Sequence, residues 1–250
     1  MRIAVVGATG TAGRPLVAQL ERGGHEVLPL SRSSATHPID LLTGAGLDAA
    51  LEGVEAVIDA SNAGPKAADA RALLVEGNRR LLAAESRAGV GHHVCLSIVG
   101  IDGFPLGYYR VKVEQEEVVR AGDVPWSIVR ATQFHSFVAA NFAAIARYRL
   151  LPKLRAPLQP VDVGEVAELL AEVAAGEPTQ SIATIAGPKI RPIAELASVW
   201  KSGVDSPAAL VPLPALGGAL KALTAGALTD PAPDRRGTIT FERALASHAR

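Results

Sequence analysis

The stretch GYYRVK, residues 107–112, combines two side chains that could move a proton. Tyr108 precedes Lys112 by four residues, so on an α-helix the phenol and the ammonium would lie on one face, about one turn apart. A nearby ammonium favours the phenolate, and we therefore expect it to lower the pKa of Tyr108 from about 10. The pair would then act as a proton donor and its electrostatic activator. The alternative is the start of a surface helix, with a packed tyrosine and a solvated lysine.

A second group of residues, GATGTAG at positions 7–13, could bind a phosphate. Its glycines would allow a tight turn after a strand, a close approach of a diphosphate to the backbone, and close packing of the following helix. That helix would offer unpaired N–H groups and a partial positive charge at its N-terminus. The spacing is G-x-x-G-x-x-G rather than G-x-G-x-x-G, and the alternative is a glycine-rich turn without a ligand. The predicted phosphate-binding residues are Gly7, Thr9, Gly10, Thr11, Ala12 and Gly13.

The residues after the second predicted strand indicate which dinucleotide would bind. Dinucleotide sites usually carry an acidic residue about 20 residues beyond the glycine loop, where it binds the ribose 2′-hydroxyl. This chain has Ser31, Arg32 and Ser33 there, and a guanidinium can form a forked contact with a 2′-phosphate. We therefore expect NADP(H) to be preferred over NAD(H), the alternative being that Arg32 is only a solvated charge. The other predicted cofactor contacts are Asp40 and Leu41 near the adenine, and Ala60 and Ser61 beside the diphosphate.

The elements that would position these residues alternate between apolar strands and amphipathic helices. Repeated β-α-β units with short links predict an α/β fold with a Rossmann-type, doubly wound parallel sheet. The predicted strands are residues 2–8, 25–32, 54–61, 92–100 and 126–132, and the helices between them include 66–89 and 108–122. We expect residues 1–250 to form a single domain, with a dinucleotide-binding core at 1–132 and a small C-terminal substrate-binding and lid portion at 133–250.

The second half of the chain has a looser pattern. Helices are predicted over residues 134–148, from about Val163, and over 192–203, with a strand at 181–188. Residues 203–236 are rich in Pro, Gly and Ala and suggest a mobile lid. Residues 237–250 are expected to end the chain as a strand or a helix.

The composition argues against several classes of protein. The 25 basic and 25 acidic residues give zero formal charge, so we expect no nucleic-acid partner. Cys95 is the single cysteine, which rules out an internal disulfide and suits a reducing cytoplasm. The N-terminus has no signal-peptide pattern, and the late apolar stretch is interrupted by Pro, Gly and Lys, so we expect no membrane span. The six histidines lack metal-binding spacing, so no metal site is predicted.

Taken together, these motifs resemble the short-chain dehydrogenase/reductase superfamily, and most of all its atypical branch of NmrA-like, NAD(P)H-binding proteins. The resemblance covers roughly residues 1–200 and is carried by GATGTAG, LSIVG, YYRVK and WSIVRATQF. It implies a catalytic set of Ser97, Tyr108 and Lys112, with Asn78 supporting the lysine through water. Ala131 stands where the superfamily often has Pro. Many atypical relatives have lost the tyrosine and act as cofactor-binding sensors, whereas this chain retains it.

The resemblance also implies the chemistry. Tyr108 would give a proton to a carbonyl oxygen while NADPH delivers hydride to the carbon, or take it back in the reverse reaction, and Ser97 would orient that oxygen. Lys112 would also hold the nicotinamide ribose, and Tyr109 is the adjacent alternative to Tyr108. The residues after the fifth predicted strand are expected to line the substrate pocket, or else to be ordinary loop residues: Gln133, Phe134 and His135.

Three functions fit these residues. The first is an NADPH-dependent oxidoreductase that reduces a small carbonyl or quinone-like acceptor. The second is a non-catalytic, NADP-binding redox sensor that regulates a partner protein. The third is a sugar epimerase, although the apolar C-terminal part looks too small for a nucleotide sugar. We expect a small, apolar substrate, no membrane partner, a monomer or homodimer, and a cytoplasmic location.

Overall fold

A computed structural model describes residues 1–64, 66–213 and 216–248 of the chain. Its main feature is a parallel seven-stranded sheet with flanking helices, which confirms the predicted Rossmann-type α/β fold. Two further pairs of short strands, β10 with β6 and β7 with β9, lie outside this sheet. The strands are β1 Arg2–Val6, β2 Glu26–Leu30, β3 Ala56–Asp59, β4 His92–Ile98, β5 Trp126–Ala131, β6 Leu150–Lys153, β7 Pro157–Leu158, β8 Ile182–Ala186, β9 Arg191–Pro192, β10 Ala209–Pro212 and β11 Arg235–Arg236.

The order of the strands determines where a ligand could bind. Across the sheet they run β2-β1-β3-β4-β5-β8-β11. Because β1 pairs in parallel with both β2 and β3, the winding reverses at β1, and ligands of open α/β sheets bind beside such a reversal at the carboxyl ends of the strands. Ile3, Ala4 and Val5 are fully buried, as expected for a strand that is covered on both faces. The glycine loop therefore begins at this reversal.

Helices connect the strands. They are α1 Gly13–Arg22, α2 Leu47–Ala50, α3 Ala67–Arg71, α4 Gly77–Ala88, α5 Gly107–Arg120, α6 His135–Ala146, α7 Val163–Ala175, α8 Ile193–Gly203, α9 Gly218–Thr224 and α10 Phe241–His248. A π-helical turn at Ala72–Glu76 joins α3 to α4, so the long helix predicted over 66–89 is present but contains one wider turn. Among the residues that the structure describes, no helix is both long and apolar enough to span a bilayer.

The chain divides into two compact units. The first unit comprises Met1–Ser97, Leu106–Arg130 and Gly164–Ala183, and its buried apolar cluster includes Val57, Leu74, Leu81, Val119 and Ile128. The second unit comprises Ile98–Pro105, Ala131–Val163 and the chain from Thr184 onward, with a buried cluster that includes Phe142, Leu151, Leu196, Trp200 and Phe241. The units interleave along the chain, whereas the predicted division was at residue 132. The prediction of a single domain stays a prediction.

The C-terminal half contains elements that the sequence prediction missed. Residues 203–236, predicted as a lid, contain β10, α9 and β11, and residues 214–215 of that stretch lie outside the described residues. That this segment moves as a lid stays a prediction. Helix α8 begins at Ile193, with Pro192 as its N-terminal cap rather than its first residue. The C-terminal segment forms helix α10, and residues 249–250 lie outside the described residues.

Candidate active site

The glycine loop has the geometry expected of a phosphate-binding turn. Gly7 adopts a φ of 78°, and a Cβ atom there would lie 2.8 Å from the Ala60 carbonyl oxygen. A Cβ atom at Gly13 would lie 2.2 Å from the Gly7 carbonyl oxygen, so any larger residue would displace the loop from the helix. Gly10 is exposed, and its N–H donates to Gly7 O at 2.9 Å. The glycines therefore allow the close approach of backbone segments that a diphosphate site needs.

The N-terminus of α1 is open to an anion. Ala12 precedes the helix, no side chain caps it, and its first turn has no acidic residue. Thr9 and Thr11 are exposed beside it, while Arg14 donates from Nε to the Thr9 carbonyl oxygen at 2.9 Å. Unpaired N–H groups, hydroxyls and a nearby guanidinium together form a cradle that suits a diphosphate.

The segment after β2 presents an unengaged cation. Arg32 is exposed and forms no ion pair or hydrogen bond with the described residues, while the hydroxyls of Ser31 and Ser33 lie 3.3 Å apart. Asp40 accepts a hydrogen bond from the Leu42 N–H at 2.9 Å, so its carboxylate stabilises its own turn. The neighbouring Leu41 is buried. The guanidinium of Arg32 is thus available for an external phosphate, whereas the carboxylate of Asp40 is occupied.

Tyr108 lies in the first turn of α5, and its environment does not favour ionisation. Its hydroxyl donates to Asn62 Oδ1 at 2.6 Å. Burial, with a smaller contribution from Tyr109, raises the pKa of Tyr108 to about 12. The expectation that Lys112 lowers this pKa is therefore wrong for this structure. The physical reason is that burial of the phenol dominates, while the ammonium of Lys112 is directed to other partners.

Lys112 is almost completely buried, with 3% of its surface exposed. Its Nζ donates to the Leu96 carbonyl oxygen at 2.9 Å and to Gln115 Oε1 at 2.5 Å. The alternative of a solvated lysine on a surface helix is thus wrong. Leu96 precedes Ser97 in β4, so the contact ties the ammonium to the strand that carries the predicted substrate-orienting hydroxyl.

Asn78 is buried, its Oδ1 has no partner among the described residues, and its predicted support of Lys112 through water stays a prediction. Its Nδ2 donates to Asp59 Oδ2 at 2.5 Å. The same oxygen accepts from Gln115 Nε2 at 3.0 Å, and Oδ1 accepts from the Ser61 N–H at 2.9 Å. Sequence reasoning missed Asp59 and Gln115. A signal existed, because Asp59 ends a buried apolar strand and Gln115 follows Lys112 by three residues on the same helix.

Two predicted serines carry hydroxyls that are ready for an external partner. Ser97 is 2% exposed, and its Oγ has no hydrogen-bond partner among the described residues. The Oγ of Ser61, which follows β3 and Ala60, is in the same situation. Because a buried hydroxyl without a partner is costly, each is a candidate contact for a ligand. The roles assigned to Ser97, Ala60 and Ser61 stay predictions.

The predicted substrate-pocket residues belong to the second unit. Gln133 is 9% exposed, and neither polar atom of its side-chain amide has a partner among the described residues. Phe134 is half-buried, and His135, the first residue of α6, bonds through Nε2 to the Ile239 carbonyl oxygen at 2.9 Å. Their contact with a substrate stays a prediction.

A buried group of potential metal ligands was not foreseen from the sequence. Asp59, His93 and Cys95 place ligand atoms within 4.8 Å of one another. However, His93 Nδ1 also lies 2.9 Å from the buried Glu85 carboxylate. Burial alone would lower the pKa of His93, but Glu85, aided by Cys95, raises it well above its usual value. Glu85 is thus the partner that the structure shows for the Nδ1 atom of His93, while Nε2 has no partner among the described residues.

Comparison with known proteins agrees with this geometry. The family model described as NAD(P)H-binding matches residues 7–176, which is more than half of the chain. The photosystem II assembly factor Ycf39 of Synechocystis sp. is 37% identical over 158 residues, covering 57% of this chain and 48% of that protein. A (4-alkanoyl-5-oxo-2,5-dihydrofuran-3-yl)methyl phosphate reductase of Streptomyces griseus is 32% identical over 145 residues, covering 54% of this chain and 48% of that protein. The chain therefore spans about half the length of these curated relatives.

Solved structures share the fold. The NADPH-dependent quinone oxidoreductase QOR2 of Escherichia coli, in complex with NADPH, aligns with a TM-score of 0.82 at 18% identity, covering 99% of this chain and 100% of that chain. A nucleoside-diphosphate-sugar epimerase of Staphylococcus aureus aligns with a TM-score of 0.78 at 14% identity, covering 98% and 99% of the two chains. The family match confirms the predicted resemblance to NAD(P)H-binding proteins, and the solved structures show that the fold is shared. The chain belongs to the NAD(P)H-binding family.

Proposed function

We propose that this protein is an NADPH-dependent oxidoreductase that transfers hydride to a small carbonyl or quinone-like acceptor. The observation that carries the proposal is the arrangement on α5, where Lys112, one turn from Tyr108, is buried and anchored on the strand of Ser97. Membership of the NAD(P)H-binding family and the reductase named among the relatives support it. The fold shared with a quinone oxidoreductase is consistent with it.

The residues of the chain fit the cofactor. The glycine loop and the open N-terminus of α1 would hold the diphosphate, and a Cβ atom at Gly7 or Gly13 would distort this loop by colliding with neighbouring backbone. Arg32 would hold the 2′-phosphate, and Lys112 has a third N–H that could reach a ribose hydroxyl. Bound NADPH would supply the hydride.

The raised pKa of Tyr108 fits reduction better than oxidation. With a pKa of about 12, the phenol keeps its proton at neutral pH. Hydride addition to a carbonyl leaves an alkoxide, which is a stronger base than a phenolate and can take that proton. Ser97 Oγ would donate a hydrogen bond to the same oxygen and orient it. Tyr108 is thus proposed as the proton donor of a reductase.

Replacement of Tyr108 tests the proposal. Tyr108→Phe should lower turnover of a quinone or carbonyl by about 100-fold or more, because general acid catalysis contributes that much, and should leave NADPH affinity unchanged. The assay follows NADPH oxidation by absorbance, with Tyr109→Phe as the matched control on the adjacent ring. Equal turnover by Tyr108→Phe and wild type would refute the role of Tyr108. Failure of the wild type to bind either nicotinamide dinucleotide would refute the function itself.

The preference for NADP(H) is a separate part of the proposal, and it rests on Arg32. Arg32→Ala should weaken NADPH binding by about tenfold or more, the value of a charge-assisted hydrogen bond, and should leave NADH binding nearly unchanged. Calorimetric titration of both dinucleotides measures the two effects, with the exposed Arg22→Ala as control. An equal loss for both dinucleotides would contradict the assignment of Arg32 to the 2′-phosphate.

A second candidate function is a non-catalytic, NADP-binding redox sensor. The observation that favours it is the Tyr108 hydroxyl, which is bonded to Asn62 and not activated by Lys112. One relative is named as an assembly factor rather than an enzyme. A sensor would bind NADPH without turning over any acceptor in a quinone and carbonyl screen, so the same wild-type assay separates the two functions.

A further inference from the structure

The side-chain amide of Gln115 joins a buried cation to a buried anion. Its Oε1 accepts from Lys112 Nζ at 2.5 Å, and its Nε2 donates to Asp59 Oδ2 at 3.0 Å. Gln115 and Asp59 are fully buried, and Lys112 is 3% exposed. Only one orientation of the amide satisfies both neighbours, because an ammonium cannot accept and a carboxylate cannot donate. The bridge therefore fixes the ammonium in one direction.

Asp59 links this bridge to the loop that follows β3. Its Oδ1 accepts from the Ser61 N–H at 2.9 Å, and the next residue, Asn62, accepts the Tyr108 hydroxyl at 2.6 Å. Asn78 donates to Asp59 Oδ2 at 2.5 Å and thereby attaches α4 to the same carboxylate. One anion thus orients the loop that holds the phenol and, through Gln115, the ammonium.

Lys112 keeps part of its hydrogen-bonding capacity. An ammonium has three N–H donors, and two of them are used by Gln115 and the Leu96 carbonyl oxygen. The third has no partner among the described residues. Since the other two contacts hold the group in place, the third N–H is pre-organised to meet a ligand with little loss of entropy.

We propose that Gln115 and Asp59 are positioning residues that hold Lys112 for contact with the cofactor ribose. The proposal rests on the proposed function, because a contact with cofactor is what the positioning serves. Neither residue touches a reacting atom. Their effect is exerted through Lys112 and through the loop that contains Asn62.

Two substitutions of Gln115 separate positioning from a purely structural role. Gln115→Leu removes both hydrogen bonds and introduces an apolar side chain of similar size. Gln115→Glu can accept from Lys112 at any pH but can donate to Asp59 only when its carboxyl is protonated. The NADPH affinity of Gln115→Glu, relative to wild type at the same pH, should therefore recover as the pH falls. Glu117→Gln, on an exposed position of the same helix, is the matched control.

The readouts are NADPH affinity and the rate at which an acylating reagent labels Lys112, followed by mass spectrometry. We expect the reagent to label Lys112 faster in Gln115→Leu than in wild type. We also expect Gln115→Leu to bind NADPH about tenfold or more weakly, because it loses a hydrogen bond to a charged group. Unchanged labelling would overturn the claim that Gln115 holds Lys112. Faster labelling with unchanged NADPH affinity, or a pH-independent defect in Gln115→Glu, would overturn the positioning role. A wild type that binds no dinucleotide would instead refute the proposed function, and labelling would still decide whether Gln115 holds the lysine.

Discussion

Helix α5 carries two buried charged clusters that are built in different ways. Glu116 is fully buried and accepts from Arg130 at both oxygens, at 2.8 and 2.7 Å, and from Arg120 at 2.7 Å. The adjacent residue, Gln115, instead places a neutral amide between Lys112 and Asp59. In the first cluster a carboxylate is neutralised directly by guanidinium groups. In the second, a cation is held at a distance from its anion and keeps one donor unused.

The difference indicates which cluster stabilises the fold and which is available for chemistry. Both oxygens of the Glu116 carboxylate already accept hydrogen bonds from guanidinium groups, and removing one partner of a buried ion pair strands the other charge. An ammonium held by a carbonyl and an amide remains a charged donor with a defined direction. We therefore expect changes at Glu116 to reduce stability and changes around Lys112 to reduce cofactor affinity.

The largest expected effect is on the Glu116 cluster. Glu116→Gln should lower the free energy of unfolding by about 3 kcal/mol or more, because Arg130 is left without its counter-charge in a mostly buried position. Urea denaturation measures the change, with the exposed Glu117→Gln as control. If both variants unfold at the same urea concentration, the Glu116 cluster is not the stabilising one.

The Glu85–His93 pair is expected to make a smaller contribution to the free energy of unfolding, and this contribution depends on pH. In the folded protein the pKa of His93 is raised well above the unfolded value of about 6.5. The stabilisation by this pair is therefore fully present below the unfolded pKa and is lost as the pH rises through the folded pKa of His93. The free energy of unfolding should fall across this window by at most about 1.4 kcal/mol per pH unit. Urea denaturation at several pH values measures the slope. His93→Gln should remove this contribution, and an identical slope in both proteins would contradict the direct pairing.

Much of the fold could be predicted from local patterns, but part of it could not. The buried strands β1 to β5 are apolar runs bounded by glycine or polar residues, and the glycine loop stands directly after the first of them. The short strands of the second half escaped prediction because two to four residues show no periodicity and Pro157, Pro192 and Pro212 argue against strand formation. The helices α6, α7 and α8 were predicted because their apolar residues extend over several turns.

The candidate site was predictable as a set of residues but not as a network. Tyr108, Lys112, Ser97 and Asn78 were identified by motif, yet the partners of the lysine depend on which side chains of β3 and α5 meet in space. The direction in which the pKa of Tyr108 shifts could not be predicted from the sequence either. Sequence spacing indicated a nearby cation, whereas burial, which no local pattern reports, decides the direction of the shift.

The most direct test is a calorimetric titration of NADPH into wild type, Lys112→Met and Glu116→Gln, with the folded fraction of each confirmed by circular dichroism. We expect NADPH to bind wild type and folded Glu116→Gln with similar affinity, and to bind Lys112→Met about tenfold or more weakly, because the ribose loses a charged donor. Equal affinity in wild type and Lys112→Met would contradict the central claim that the buried network on α5 presents Lys112 to a dinucleotide.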